Sequence, residues 1–192
     1  MEEPSPIRDP EPLLMKREKE EEFVEEEPAA KRFKPDGTNG FNEIETSSEE
    51  LYPLCRYACG TKHSVCIDKE SCVWVCGRNN NGQLGLGDTE DYSVFQRIPQ
   101  LTNIVSVSCG FRFTVCLSSL HQVWSFGLNS KGQLGLGDFV TRYSPQPVPI
   151  ISDIISIHCG ASHTFCLSDK AMYAFGNNSR GQLGVGDAFI QT

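Results

Sequence analysis

Apolar residues beyond position 50 fall in short alternating runs, and each run comes back about fifty residues later. Ile104-Val105-Ser106-Val107-Ser108 has Ile154-Ile155-Ser156-Ile157-His158 as its counterpart. A second run, Phe113-Thr-Val-Cys-Leu-Ser118, matches Ser64-Val-Cys-Ile67 and Thr164-Phe-Cys-Leu167. A third, Val73-Trp-Val-Cys76, matches Val123-Trp-Ser-Phe126 and Met172-Tyr-Ala-Phe175, and a glycine closes each. β-Branched and aromatic residues at this spacing, bounded by turn residues such as those of 79–82 and 129–132, predict short antiparallel strands. A fourth, outer strand is expected at Pro147-Val148-Pro149-Ile150, because proline suits an edge that donates no ladder hydrogen bond.

The segments between the runs repeat more closely still. Gly82-Gln-Leu-Gly-Leu-Gly-Asp88 returns as Gly132-Gln-Leu-Gly-Leu-Gly-Asp138 and Gly181-Gln-Leu-Gly-Val-Gly-Asp187, and Cys59-Gly60 returns as Cys109-Gly110 and Cys159-Gly160. The fold class is therefore all-β. Four short strands in a unit of about fifty residues make one β-propeller blade. No Gly-Gly doublet and no Trp-Asp dipeptide occurs, which sets aside the kelch and WD40 kinds. The order Cys-Gly-x-x-[His/Phe]-[Ser/Thr], Trp-x-x-Gly, Asn-x-x-Gly-Gln-Leu-Gly-Leu-Gly-Asp resembles the regulator of chromosome condensation repeat, over residues 51–192.

The organisation that follows is a tail over 1–48, repeats over 49–100 and 101–150, and a shortened third repeat over 151–192. The third copy has only Ala188-Phe189-Ile190-Gln191-Thr192 after Asp187, so its outer strand is expected to be missing. About two and a half four-stranded blades form an incomplete ring, which is expected to self-associate or to close with another chain.

Charge separates the two parts. Residues 1–50 hold 7 Lys/Arg against 16 Asp/Glu, and residues 51–192 hold 10 against 9. A balanced repeat region gives no electrostatic reason to seek nucleic acid or a membrane. The tail is too poor in large apolar residues to offset its conformational entropy and is expected to be disordered. Within it, Pro28-Ala-Ala-Lys31-Arg32-Phe33-Lys34-Pro35-Asp36 resembles a short nuclear import signal. Lys31, Arg32 and Lys34 would sit in acidic, aromatic-lined pockets of an importin, and the prolines would keep the segment extended. This points to the nucleus, with the cytoplasm as a second compartment. An acidic N-terminus without an apolar core excludes a secretory signal, so the nine cysteines are expected to be mostly free thiols.

Three strings tempt a chemical reading. Cys55-x3-Cys59-x3-His63-x2-Cys66 has ligand types suited to zinc. Yet Cys59 and Cys66 recur in both later copies, whereas Cys55 becomes Val105 and Ile155, so packing on buried strand positions is the better reading and no metal is expected. The Gly-Gln-Leu-Gly-Leu-Gly-Asp loops lack the Gly-Lys-Ser/Thr ending of a phosphate loop. Their aspartates are expected to accept turn amides, and Gln83, Gln133 and Gln182 to bridge blades. His63 and His163 follow Cys-Gly, but Phe113 replaces them in the middle copy and no fixed partner for a catalytic histidine is visible. No covalent catalytic site and no cofactor is expected.

The resemblance implies that the Cys-Gly-x-x-His loops form a partner face, with Lys62, His63, Arg112, Phe113, Ser162 and His163 as its candidate residues. It also implies protein partners, among them a Ran-like small GTPase whose guanine-nucleotide exchange the family's best-known members promote. Exchange-active members carry an acidic residue between Gly and His in some of these loops. Here the pairs are Thr61-Lys62, Phe111-Arg112 and Ala161-Ser162, none of them acidic. A protein–protein interaction module is therefore the expected function, with exchange activity the alternative.

Overall fold

The computed structural model describes residues 56–149 and 151–186. The tail with its import-like stretch, Cys55 and Asp187 lie outside the described residues.

The first blade is a four-stranded antiparallel sheet of β1 (Tyr57–Cys59), β2 (His63–Ile67), β3 (Val73–Gly77) and β4 (Tyr92–Arg97), in that order. The second repeats it with β5 (Ile104–Cys109), β6 (Phe113–Ser118), β7 (Val123–Gly127) and β8 (Arg142–Pro147). The third holds β9 (Ile154–Cys159), β10 (His163–Ser168) and β11 (Met172–Gly176). The registers coincide: His63 lies opposite Gly77, Phe113 opposite Gly127 and His163 opposite Gly176. The described strands thus form antiparallel propeller blades, two of four strands and one of three.

One strand assignment needs correction. The outer strand of the second blade runs over Arg142–Pro147, not over 147–150. Pro147 makes its last pair, opposite Trp124, and only Val148 still donates its amide to the ladder, to Val123 O at 2.9 Å. Pro149 has no amide to continue with.

The middle blade is apolar on both faces because the described blades on either side cover it on both. Val65, Ile67, Val73 and Val75 of the first blade pack against Val107, Cys116 and Phe126 of the second. Phe113, Val115, Leu117 and Val123 pack in turn against Ile157, Cys166 and Phe175 of the third. Every residue of β6 is buried, since it lies in the middle blade. The loops lock this spacing. Gly85 and Gly135 adopt φ of +69° and +67°, and a Cβ on either would stand 2.7 Å from the Phe126 or Phe175 ring of the next blade. Glycine meets both demands, backbone and contact, at once.

A candidate interaction face

Two kinds of loop meet at one end of the blades. The tight β1–β2, β5–β6 and β9–β10 turns carry the Cys-Gly-x-x motif. The long loops after β3, β7 and β11 carry Gly-Gln-Leu-Gly. They are sewn together by amides: Arg78 N–H donates to Lys62 O, Leu128 to Arg112 O and Asn177 to Ser162 O, all at 2.8 Å. Neighbouring blades are joined at the same end, by Gly87 N–H to Tyr143 O at 2.9 Å and Phe111 N–H to Ala161 O at 3.1 Å.

Each long loop is built round one asparagine with no exposed surface. Asn79 Nδ2 donates to Asp88 O at 3.0 Å and Oδ1 at 2.8 Å, while its Oδ1 accepts the Leu84 amide at 3.0 Å. Asn129 does the same with Asp138 and Leu134, and Asn178 accepts from Leu183. Gly82 N–H donates to Asn79 O and Gly85 N–H to Gly82 O. These amides are committed inside the loop, which removes the nest a phosphate would need. Asp88 and Asp138 accept the amides of Glu90 and Val140, as turn chemistry requires. The Val140 amide is the chief cause holding the Asp138 carboxyl below its ordinary range, against partial burial.

The glutamines act differently from expectation. Gln83 and Gln133 turn their side-chain oxygens back to the amides of Asn81 and Lys131. It is their backbone carbonyls that reach the next blade, accepting from Thr114 Oγ1 at 2.9 Å and Thr164 Oγ1 at 2.8 Å.

This fixes the state of His63. Thr114 spends its one hydroxyl proton on Gln83 O, so at 3.1 Å His63 Nε2 must be the donor to Thr114 Oγ1. Nδ1 then carries a lone pair, buried and with no hydrogen-bond partner among the described residues. With the side chain only 3 % exposed, burial is the chief cause that lowers its pKa to about 4, and the Phe113 backbone opposes it. His63 is a neutral wedge between blades, not an acid or base at the surface.

The six candidate residues therefore separate. Lys62 and Arg112 are exposed, His63 and Phe113 are buried between blades, and Ser162 and His163 are half-buried, His163 standing edge-on to Phe165 at 5.7 Å. Reading by motif missed Phe111, 59 % exposed beside Arg112, and the exposed Arg78, Lys131 and Arg180 of the adjoining loops. The signal was their place beside the buried asparagine or ahead of the Gly-Gln-Leu, which repeats while the residue type varies. Two exposed acids, Glu90 and Asp91, stand at this end, and Asp91 is engaged with the Asn79 amide. The face is cationic with an aromatic at its middle, although the repeat region as a whole is balanced.

The zinc string is divided by strand geometry. His63 and Cys66 are three apart on β2, so their side chains leave opposite faces of the sheet. Burial pushes the Cys66 and Cys166 thiols up to about 12 and raises Cys116 as well, which keeps them protonated and inert. Cys59 departs from the expected burial and is exposed, because no described blade precedes the first.

The family model "Regulator of chromosome condensation (RCC1) repeat" matches residues 70–117 and 121–167, and a second model of the same description matches 104–133 and 154–182. The ultraviolet-B receptor UVR8 of Arabidopsis thaliana is 51% identical over 47 residues, covering 24% of this chain and 11% of its own. The secretion-regulating guanine nucleotide exchange factor of Bos taurus is 37% identical over 62 residues, covering 29% of this chain and 13% of its own. The chain thus aligns to about an eighth or less of these relatives' length. Among solved structures, Prp20p of Saccharomyces cerevisiae, described with its binding to Gsp1p and histones, superposes with a TM-score of 0.63 at 20% identity. The superposition covers 70% of this chain and 36% of Prp20p, and at that identity it speaks for the fold. A structure of yeast Prp20 with Kap60 bound gives a TM-score of 0.56 at 22% identity, over 68% of this chain and 31% of the other.

Proposed function

Because the chain belongs to the regulator of chromosome condensation repeat family, we propose that it acts as a protein–protein interaction module through the loop end that carries Lys62, Arg112 and Phe111. One observation carries the reading. Rigid, internally satisfied loops present exposed cations round an exposed aromatic there, while the titratable histidine of the same motif is buried and neutral. Such a face suits binding: arginine and aromatic residues dominate interface energetics, and its positive field selects a partner with an acidic surface. Charge reversal tests it. K62E with R112E should abolish binding of an acidic partner while leaving the thermal transition in place, since both residues are exposed. Binding unchanged by the double reversal counts against this face.

A second reading has its own support. A relative is the secretion-regulating guanine nucleotide exchange factor, and a structural neighbour, Prp20p, is described with its binding to Gsp1p. Exchange would need this face to hold a Ran-like GTPase better without nucleotide than with it. The three loop pairs lack an acidic residue, so excess chain is expected to leave nucleotide release from such a GTPase unchanged. A tenfold faster release, about 1.4 kcal/mol off the barrier, would put exchange first.

The basic stretch of the tail completes the reading. Lys31, Arg32 and Lys34 engage an importin and bring the chain to the nucleus. A fluorescent fusion of residues 1–50 should accumulate there and disperse on K31A/R32A/K34A.

A further inference from the structure

The repeat separates the residues a blade requires from those it leaves free. At the loop end the first blade has Thr61 after its Cys-Gly pair and Thr89-Glu90 after its loop aspartate. The middle blade has Phe111 and Phe139-Val140 at the same positions, 59%, 53% and 60% exposed. Packing within the blades does not explain these three. Nor does a missing neighbour: Thr89 and Glu90 are exposed too, although the middle blade is bonded to their loop through Gly87 N–H and Tyr143 O.

Exposed cations stand among these apolar side chains. Arg112 follows Phe111 in one turn, and Lys131 shares the long loop with Phe139. Lys62 joins them because the first two turns abut: a Cβ on Gly60 would stand 2.6 Å from Gly110 O. Against them stand the exposed Glu90 and Asp91, the latter bound to the Asn79 amide. Asp88 and Asp138 are half-buried and committed to turn amides.

One segment of the chain has the matching chemistry. Residues 35–55 hold Asp36, Glu43, Glu45, Glu49 and Glu50 and neither lysine nor arginine, with Phe41 and Ile44 among the carboxylates. The stretch at 20–27 is richer in glutamate, but Lys16, Arg17, Lys19, Lys31, Arg32 and Lys34 flank it, and Glu27 is 30 residues from Tyr57. Glu50 is only seven residues from Tyr57, a reach of up to about 23 Å. From Tyr57, β1 rises about 10 Å to the Gly60 turn.

We propose that residues 36–50 lie across the loop end of the middle blade and compete there with an acidic partner. Their carboxylates would meet Lys62, Arg112 and Lys131, and their apolar side chains Phe111, Phe139 and Val140. The competition rests on the reading of this end as a partner face; the docking does not. A short tether holds the segment at an effective concentration of about a millimolar. A contact too weak to form between separate molecules is then substantially occupied. Two forces act on it. Salt weakens the attraction between charges, and loss of the phenyl rings removes apolar burial.

The full chain carrying Phe41→p-benzoylphenylalanine, irradiated at low concentration, reads the docking by mass spectrometry. Cross-links are expected within one chain, to residues 111–112, 131 or 139–140. They should fall at least about threefold in about 0.5 M salt. E43Q/E45Q/E49Q/E50Q and F111S/F139S should lower them too, and thermal unfolding checks that the exposed positions 111 and 139 tolerate serine. Cross-links absent from these loops, or found only between chains, overturn the docking. So does a pattern that survives both sets of substitutions. Poly-glutamate, as an acidic probe, reads the competition. The four-glutamine variant should bind it at least about threefold more tightly than the unaltered chain, because the face is freed of its tethered competitor. Equal binding with the cross-links in place overturns the competition and leaves the docking standing. A probe that binds neither chain removes the partner-face reading, and the competition with it.

Discussion

The contact between the first two blades and the contact between the second and third use the same backbone and different wedges. In the first the wedge is His63, in the second Phe113, at one position of the repeat and both buried. The histidine adds a hydrogen bond to Thr114 and leaves Nδ1 unsatisfied; the phenylalanine adds only apolar surface and is fully enclosed. The position selects for a planar ring that fits over Gly60 or Gly110, where a Cβ would stand about 2 Å from the ring. Polarity is negotiable there; shape is not.

The largest way to break this comparison is Phe113→Ala. It opens a cavity in the second contact alone and should cost about 3–5 kcal/mol, read by denaturant unfolding. His63→Phe should be tolerated by comparison, since the second contact already accepts that ring. If His63→Phe destabilises as much as Phe113→Ala, the two sites are not equivalent.

Acid should separate the contacts next. His63 has a folded pKa of about 4 against 6.5 ordinarily, so the unfolded chain binds the proton more readily. Its contribution is complete above pH 6.5 and is lost as pH falls from there towards 4. The shift corresponds to up to about 3 kcal/mol. His63→Phe should flatten the stability profile across that window. A profile of the same slope in the variant would assign the acid sensitivity elsewhere.

The smallest contrast lies in the threonines. Thr114→Val removes the bond to Gln83 O and strands the His63 donor, for about 2 kcal/mol; Thr164→Val removes one bond, for about 1 kcal/mol. Restoring parity needs His63→Phe, so a double-mutant cycle of Thr114→Val with His63→Phe should show coupling of about 1 kcal/mol. Additivity would mean the His63–Thr114 bond contributes nothing.

The repeat made most of the fold legible, because a blade's period of fifty is written in glycines and asparagines that serve backbone geometry. The inner strands were readable for the same reason: β6 is apolar on successive residues, as a strand covered on both faces is. The outer strand was misplaced because Tyr143-Ser144-Pro145-Gln146 reads as a turn and pairs through one edge only. The loop face was half legible. Motif position found Lys62 and Arg112 but could not say that the neighbouring ring is buried, since that depends on the next blade. Nor could it gather Arg78, Lys131 and Arg180, which lie 16, 19 and 18 residues along the chain beyond Lys62, Arg112 and Ser162, while the Arg78–Lys62, Leu128–Arg112 and Asn177–Ser162 amide bonds hold their loops against those turns.

The enclosed strand β6 has a consequence for how this molecule comes apart. The two hydrophobic clusters each join consecutive blades, so cohesion is passed from neighbour to neighbour along a line. In such an array opening starts at the ends and stops where a unit is held from both sides. Amide exchange should therefore be graded by position along the stack, slowest in Phe113–Ser118 and faster in β10 and β11, even though all three blades share one architecture.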